Sequence, residues 1–257
     1  MWNVVHHTRV RGMWRALAEP AWLSERARKI VRRQVNVRKR NRFSLEDYDT
    51  QIVSWEEFTA QAFGASAAEL AVLEQRIWLP EPEVGDDTPW ESREVLLKTV
   101  GMVVAAAQPK IVVETGVERG YSSATWLVNM SRVGTGRLHS VDLPRTDVDD
   151  RNEYTGHLVP HELRDAWHLV LGPSRQVLPA LLKQLGTIDV FLHDADHAYV
   201  AQLEEYRTVW PFIRPGGFLI SDDVDNSAFV EFSEQAVAAS WLLPRPAFGD
   251  AVGVLRK

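Results

Sequence analysis

The chain has 257 residues, 45% hydrophobic and 25% charged, which suffices for one sizeable core and excludes wholesale disorder. It contains no cysteine, so disulfides, thiolate zinc sites and cysteine nucleophiles are excluded. The net charge of −6 conceals an asymmetry: residues 1–42 hold twelve Lys or Arg against Glu19 and Glu25, a basic arm of +10 on an acidic body of −16.

In chain order, the arm mixes these cations with Trp2, Trp14, Leu17, Trp22, Leu23, Ile30 and Val31 at helical spacings, the pattern of an amphipathic helix. Such a helix packs on its own protein or on a second copy of the chain; the alternative is a contact with an anionic membrane surface, and no strong case exists for nucleic acid. Arg9, Arg11 and Arg15 interrupt any signal-peptide core, and no apolar run approaches the roughly 20 residues that span a bilayer. A cytoplasmic protein is expected. Residues 54–78 read as helix with Ser54 as N-cap. Pro80, Pro82, Gly85 and Pro89 mark a linker, and the domain boundary is placed here, between 1–89 and 90–257. Trp90 to Ala107 is a helix ended by Gln108-Pro109.

Strands and helices then alternate. Strands are expected at Ile111–Val113, Leu138–Val141, His168–Leu171, Ile188–Leu192, Gly217–Ser221 and Ala251–Leu255. Helices are expected at Ser122–Met130, Gln176–Leu185, Ala198–Phe212 and Ser227–Ala239, with Pro179 near a helix end or kink. Apolar strands separated by amphipathic helices imply an α/β, doubly wound, mostly parallel sheet. Ligands of such sheets bind beyond the carboxyl ends of the strands.

The first strand runs into Glu114-Thr115-Gly116-Val117-Glu118-Arg119-Gly120-Tyr121-Ser122. Gly116 and Gly120 permit a tight turn and a close ligand, and the next helix opens with free N–H groups. A dinucleotide fingerprint, G-x-G-x-x-G, would need glycine at 118 and 121, where Glu118 and Tyr121 stand. A sulfonium cofactor with a free amino group suits this acidic loop better than a pyrophosphate. Asp142 ends the second strand, where a carboxylate can accept both hydroxyls of a ribose. Gly172-Pro173-Ser174 follows the third, His193-Asp194-Ala195-Asp196-His197 the fourth, and Asp222-Asp223 the fifth.

This order of motifs over about residues 90–257 resembles the class I methyltransferases that bind S-adenosylmethionine, and within them the methyltransferase domain 24 group and the catechol and caffeoyl-coenzyme A types. The resemblance implies a seven-stranded Rossmann-like methyltransferase fold with an N-terminal helical extension. It places Glu114 near the methionine part, Gly116, Gly120 and Ser122 at the cofactor loop, Asp142 on the ribose, Gly172 and Ser174 near the adenine, and Asp194 on the cofactor.

Metal-dependent members of that family set one Asp after the fourth strand and an acidic pair after the fifth, positions held here by Asp194, Asp222 and Asp223. The 28-residue step from Asp194 to Asp222 resembles the enzymes that methylate antibiotic sugars. Oxygen-only donors favour Mg2+ or a similar divalent cation. Such an ion lowers the pKa of a bound hydroxyl. His197 stands where catechol-type enzymes carry Lys, and Asp196 where the sugar-type enzymes place their base, so the two compete for that role; an imidazole titrates nearer working pH. In a metal-free relative Asp194 would instead contact the cofactor and Asp222-Asp223 would cap the next helix. The resulting expectation is an O-methyltransferase for a small hydroxylated acceptor such as a sugar or natural product. The rival from another class is a non-catalytic cofactor-binding protein whose basic arm does the work.

Overall fold

A computed structural model describes residues 43–84, 86, 88–143 and 155–257. The basic arm of residues 1–42 lies outside these, and so does the helix expected there.

Seven strands form one sheet: β1 (Ile111–Thr115), β2 (Arg137–Asp142), β3 (Trp167–Leu171), β4 (Ile188–His193), β5 (Ile213–Ser221), β6 (Ala239–Arg245) and β7 (Asp250–Arg256). Their order is β3-β2-β1-β4-β5-β7-β6. β3 through β5 run parallel, and β7 is antiparallel to both β5 and β6. The Rossmann-like methyltransferase fold expected from the sequence is the fold found.

Among the described residues seven α-helices flank the sheet: α1 (Trp55–Phe63), α2 (Ala67–Glu74), α3 (Glu91–Ala107), α4 (Tyr121–Val133), α5 (Ser174–Leu185), α6 (Tyr199–Val209) and α7 (Ala228–Ala236). Successive residues of a strand face opposite sides of a sheet, and the two cores obey that alternation. Val112, Val190 and Leu192 face Phe58, Val103, Trp126 and Met130 of α1, α3 and α4. Val113 and Phe191 face Leu178, Leu182, Tyr206 and Phe229 of α5, α6 and α7. Burial on both faces explains why β1 and β4 read as nearly unbroken apolar runs. Among the described residues, no helix is long and apolar enough to cross a membrane.

Two expectations change. The helix over 54–78 is two helices, because Gly64 adopts φ 66° and stops the first. Ser66 then opens a second with its own capping box to Glu69, repeating the Ser54–Glu57 box of the first. The helix expected to reach Ala239 ends at Ala236, where Val237 turns left-handed at φ 50°. Ala239 instead opens β6, whose remaining residues the sequence pattern had left without an element. It pairs with β7 from Ala239↔Arg256 to Arg245↔Asp250. Pro179 lies inside α5.

The register levels the ligand-facing ends. Thr115 is beside Val141 and His193, and His193 is beside Ser221. The chain winds outward from β1 through β2 to β3, then returns to the other side at β4, so the switch in strand order falls between β1 and β4. Because β7 is antiparallel, the tip of the β6–β7 hairpin reaches the same end of the sheet, and Val224 N–H donates to Ala251 O at 2.9 Å.

Candidate active site

The loop after β1 is shaped by close backbone packing. Gly116 has φ 88°, and a Cβ there would sit 1.7 Å from the carbonyl oxygen of Asp194. Gly120, at φ 97°, heads α4, and a Cβ there would meet Gly156 Cα at 2.8 Å. No other residue type fits either position without moving backbone. Asp142 braces the loop from β2. Its Oδ2 accepts from Val117 N–H at 3.2 Å and Glu118 N–H at 2.8 Å, and its Oδ1 from Leu143 N–H at 2.7 Å. Burial raises this carboxyl against the pull of those three donors.

Glu114 does not face the crevice. It is fully buried and accepts from the hydroxyls of Ser122, Ser123 and Ser140 beneath the loop. Removal from water pushes its carboxyl up to about 7, partly offset by the serines. The inward turn follows from strand alternation: Glu114 shares the face of β1 that packs against α4.

Ser174 is also turned inward. Its hydroxyl donates to Glu205 Oε1 at 2.5 Å, while Thr115 donates to Oε2 at 2.6 Å and His193 Nδ1 lies 2.8 Å from the same oxygen. Burial alone would raise the Glu205 carboxyl, but His193 and the two hydroxyls hold it below its ordinary value. Gly172 N–H donates to Asp142 O at 2.7 Å, tying the third strand end to the second.

A cavity of about 540 Å³ opens beside this loop. Val117, Glu118, Tyr121 and Ser122 form one wall, and Asp194, His197, Asp222 and Asp223 the other. Of the expected site residues, the structure therefore brings together Ser122, Asp194, His197, Asp222 and Asp223. Asp142, Gly172 and Ser174 do not line the cavity; they sit at the ends of β2 and β3.

The two candidates for the base are separated. Asp196 is exposed, does not line the cavity, and its Oδ1 accepts from Ala198 N–H at 3.2 Å in a local turn contact. His197 lines the cavity. Its Nδ1 is 2.8 Å from Asp223 Oδ2, and its Nε2 is 3.7 Å from Asp194 Oδ1, beyond hydrogen-bond reach. Burial would lower this imidazole, but the two carboxylates outweigh it and raise it well above its ordinary value.

Sequence reasoning missed Arg245. This residue ends β6 with its side chain 2% exposed, inside the acidic wall. Nη1 lies 2.9 Å from Asp222 Oδ1, Nη2 2.5 Å from Asp223 Oδ1 and Nε 2.7 Å from Asp250 Oδ1. Nη1 also donates to the carbonyl of Ser92 at the start of α3. The guanidinium and the His197 imidazole hold the Asp223 carboxyl far below its ordinary value, although burial opposes them. Asp222 goes the other way: burial and the charges of Asp194 and Asp223 raise it despite Arg245. The only trace in the sequence is a cation at the end of the apolar run Trp241-Leu242-Leu243, and nothing local says which carboxylates it meets.

Asp194, Asp222 and Asp223 were expected to hold a divalent cation. Among the described residues no three His, Asp or Glu side chains are disposed to do so. The reason is visible in the contacts: Asp222 and Asp223 turn to Arg245, and Asp223 and Asp194 flank His197. The donor set does not fit a metal in this arrangement.

The other cavity residues that escaped notice come from the linker and α3. Arg93 is 2.9 Å from Asp86 and lies 4.5 Å from the centre of the Tyr121 ring. Tyr121 O–H donates to Asp86 Oδ2 at 3.0 Å and accepts from Glu83 N–H at 2.8 Å. These contacts strap the linker across the cofactor loop.

Residues 113–224 match the family described as a methyltransferase domain, the methyltransferase domain 24 group. No curated protein matches the sequence. Among solved structures, a Staphylococcus aureus protein assigned as a caffeoyl-CoA O-methyltransferase is similar with a TM-score of 0.51 and 12% identity, over 77% of this chain and 95% of that one. A Klebsiella pneumoniae protein assigned as an O-methyltransferase gives 0.49 and 18%, over 78% and 94%. The O-methyltransferase of Bacillus cereus in complex with SAH gives 0.47 and 16%, over 81% and 99%. At such identities the Staphylococcus aureus likeness speaks for the fold alone. With the strand order, residues 113–224 form a methyltransferase domain on the class I methyltransferase fold.

Proposed function

We propose that this enzyme methylates a hydroxyl oxygen of a small acceptor, with His197 as the base. The observation that carries the reading is His197 itself: it lines the cavity, its Nδ1 is anchored at 2.8 Å by Asp223, and its buried Nε2 has no hydrogen-bond partner. An anchored Nδ1 fixes the ring and reserves Nε2 for the acceptor.

S-adenosylmethionine, when bound, supplies a methyl group on a sulfonium. Gly116 and Gly120 let the loop that would carry it pack closely, Asp142 keeps lone pairs for the ribose, and Asp194 offers a carboxylate to its amino end. His197 Nε2 takes the acceptor's proton as the oxygen–carbon bond forms and the carbon–sulfur bond breaks. Holding both reactants in line can supply roughly 7–11 kcal/mol of the barrier. The raised imidazole must first lose its own proton, so turnover should climb with pH through that raised value. The acceptor is a polar molecule in this reading, because Ser92, Arg93, Arg119 and the acidic wall supply charged and polar groups among the apolar lining of Pro89, Leu96, Leu97, Val117 and Phe248.

Isothermal titration with S-adenosylhomocysteine, followed by methyl transfer from labelled cofactor to a panel of sugars, phenols and polyols, tests the reading. Saturable binding and transfer to a hydroxyl are expected. Absence of binding at high micromolar ligand would end it, and transfer to nitrogen only would end the O-methylation part.

A further inference from the structure

We propose that Arg245 is a tethered replacement for a divalent cation, a positioning residue that lets methyl transfer proceed without metal. The inference rests on His197 acting as the base.

Three carboxylates meet at the end of the sheet, from β5 and from the start of β7. Left alone they would repel one another or collect a cation. Here the cation is part of the chain. Arg245 presents Nε to Asp250, Nη1 to Asp222 and Nη2 to Asp223, at 2.7, 2.9 and 2.5 Å. A planar guanidinium with five fixed donors holds several carboxylates in one geometry, which a lysine ammonium cannot do. Its side chain is 2% exposed and anchored by the Ser92 carbonyl, so it has no room to swing out and admit an ion.

The arrangement reaches the base. Asp223 Oδ1 takes Arg245 and Asp223 Oδ2 takes His197 Nδ1. One carboxylate thus couples the guanidinium to the imidazole and fixes the ring. A bound divalent cation would act on the acceptor oxygen directly. Arg245 acts one step back, through Asp223 and His197.

The hairpin makes this possible. Arg245 and Asp250 are cross-strand partners, and the antiparallel β7 carries both to the ligand end of the sheet. The residue that decides the metal question is therefore supplied by the far edge of the sheet.

The test uses Mn2+ as the probe, read by electron paramagnetic resonance on the full chain and on R245A and R245M, each checked for folding by circular dichroism. The wild-type chain should bind no stoichiometric Mn2+, and its turnover should survive exhaustive chelation. R245A should gain one chelator-reversible Mn2+ per chain, lose roughly 10–100-fold in kcat, as supporting residues behind a site typically do, and keep its affinity for S-adenosylhomocysteine. Added Mn2+ should restore part of that loss in R245A and none in H197Q. Stoichiometric Mn2+ on the wild type overturns the proposal, as does a folded R245A or R245M that binds none. If neither variant folds, the wild-type measurements decide alone. Failure of the wild type to bind S-adenosylhomocysteine would count against the methyltransfer reading and leave the Mn2+ result standing on its own.

Discussion

The two walls of the cavity are built by opposite means. The wall after β1 is a single stretch, Thr115 to Ser122, shaped by glycine backbone and braced by two N–H bonds to Asp142, from Val117 and Glu118. The facing wall gathers Asp194, His197, Asp222, Asp223 and Arg245 from the ends of β4, β5 and β6 and holds them through ion pairs. The first wall is a property of local backbone; the second exists only once the sheet has formed. In the proposed reading one wall presents a constant cofactor, and the other carries the chemistry.

Substitutions can break that comparison or sharpen it. The largest effect is expected at His197. H197Q should lower kcat by about 10²–10⁴-fold while S-adenosylhomocysteine affinity changes by less than about threefold. Equal losses in both, by steady-state kinetics and calorimetry, would mean that the walls do not divide binding from chemistry.

Gly116 is the point where the walls touch. G116A drives a methyl group into the Asp194 carbonyl and strains a backbone at φ 88°. A loss of about 2–4 kcal/mol in urea unfolding is expected from overpacking and strain together. A variant as stable as the parent would show that the loop is not seated on β4.

Glu114 tests how the first wall is held. Its carboxyl is raised from 4.5 to about 7, so between these values the folded chain keeps a proton that the unfolded chain releases. Stability from this residue is present below pH 4.5 and falls as pH rises to 7, by an amount on the order of 3 kcal/mol. Urea midpoints compared with E114Q from pH 4.5 to 8 should show that slope in the parent and its absence in the variant. A parent gaining stability relative to E114Q as pH rises would contradict the buried placement.

Asp142 should give the smallest effect. D142A removes a charged acceptor and should weaken S-adenosylhomocysteine by roughly 10–150-fold, the equivalent of about 1.5–3 kcal/mol, with kcat at saturation little changed. A collapse of kcat with intact affinity would reverse the roles assigned to the two walls.

The fold was largely legible because its signals are local. Ile111-Val112-Val113 and Val190-Phe191-Leu192 announce strands buried on both faces, and Gly116 and Gly120 stand where the turn demands positive φ. β6 was not legible, because the break before it is Val237 in a left-handed conformation, which carries no sequence signature. The carboxylates at the strand ends were found, but their partners were not. Asp196 and His197 are adjacent in sequence, and only the direction of the turn after β4 sends one to solvent and the other into the cavity. Strand alternation puts Glu114 under the loop.

By itself, the sequence determined the parallel α/β architecture, the cofactor loop and the presence of acidic residues at the ligand end, since these follow from side-chain period and backbone freedom over a few residues. Tertiary structure alone decided what those acids do. Charges act across space: the strand order brings Arg245, 23 residues past Asp222 in the chain, to 2.9 Å from it. That contact turns a set of carboxylates suited to a metal into an internal ion-pair network that orients the His197 imidazole.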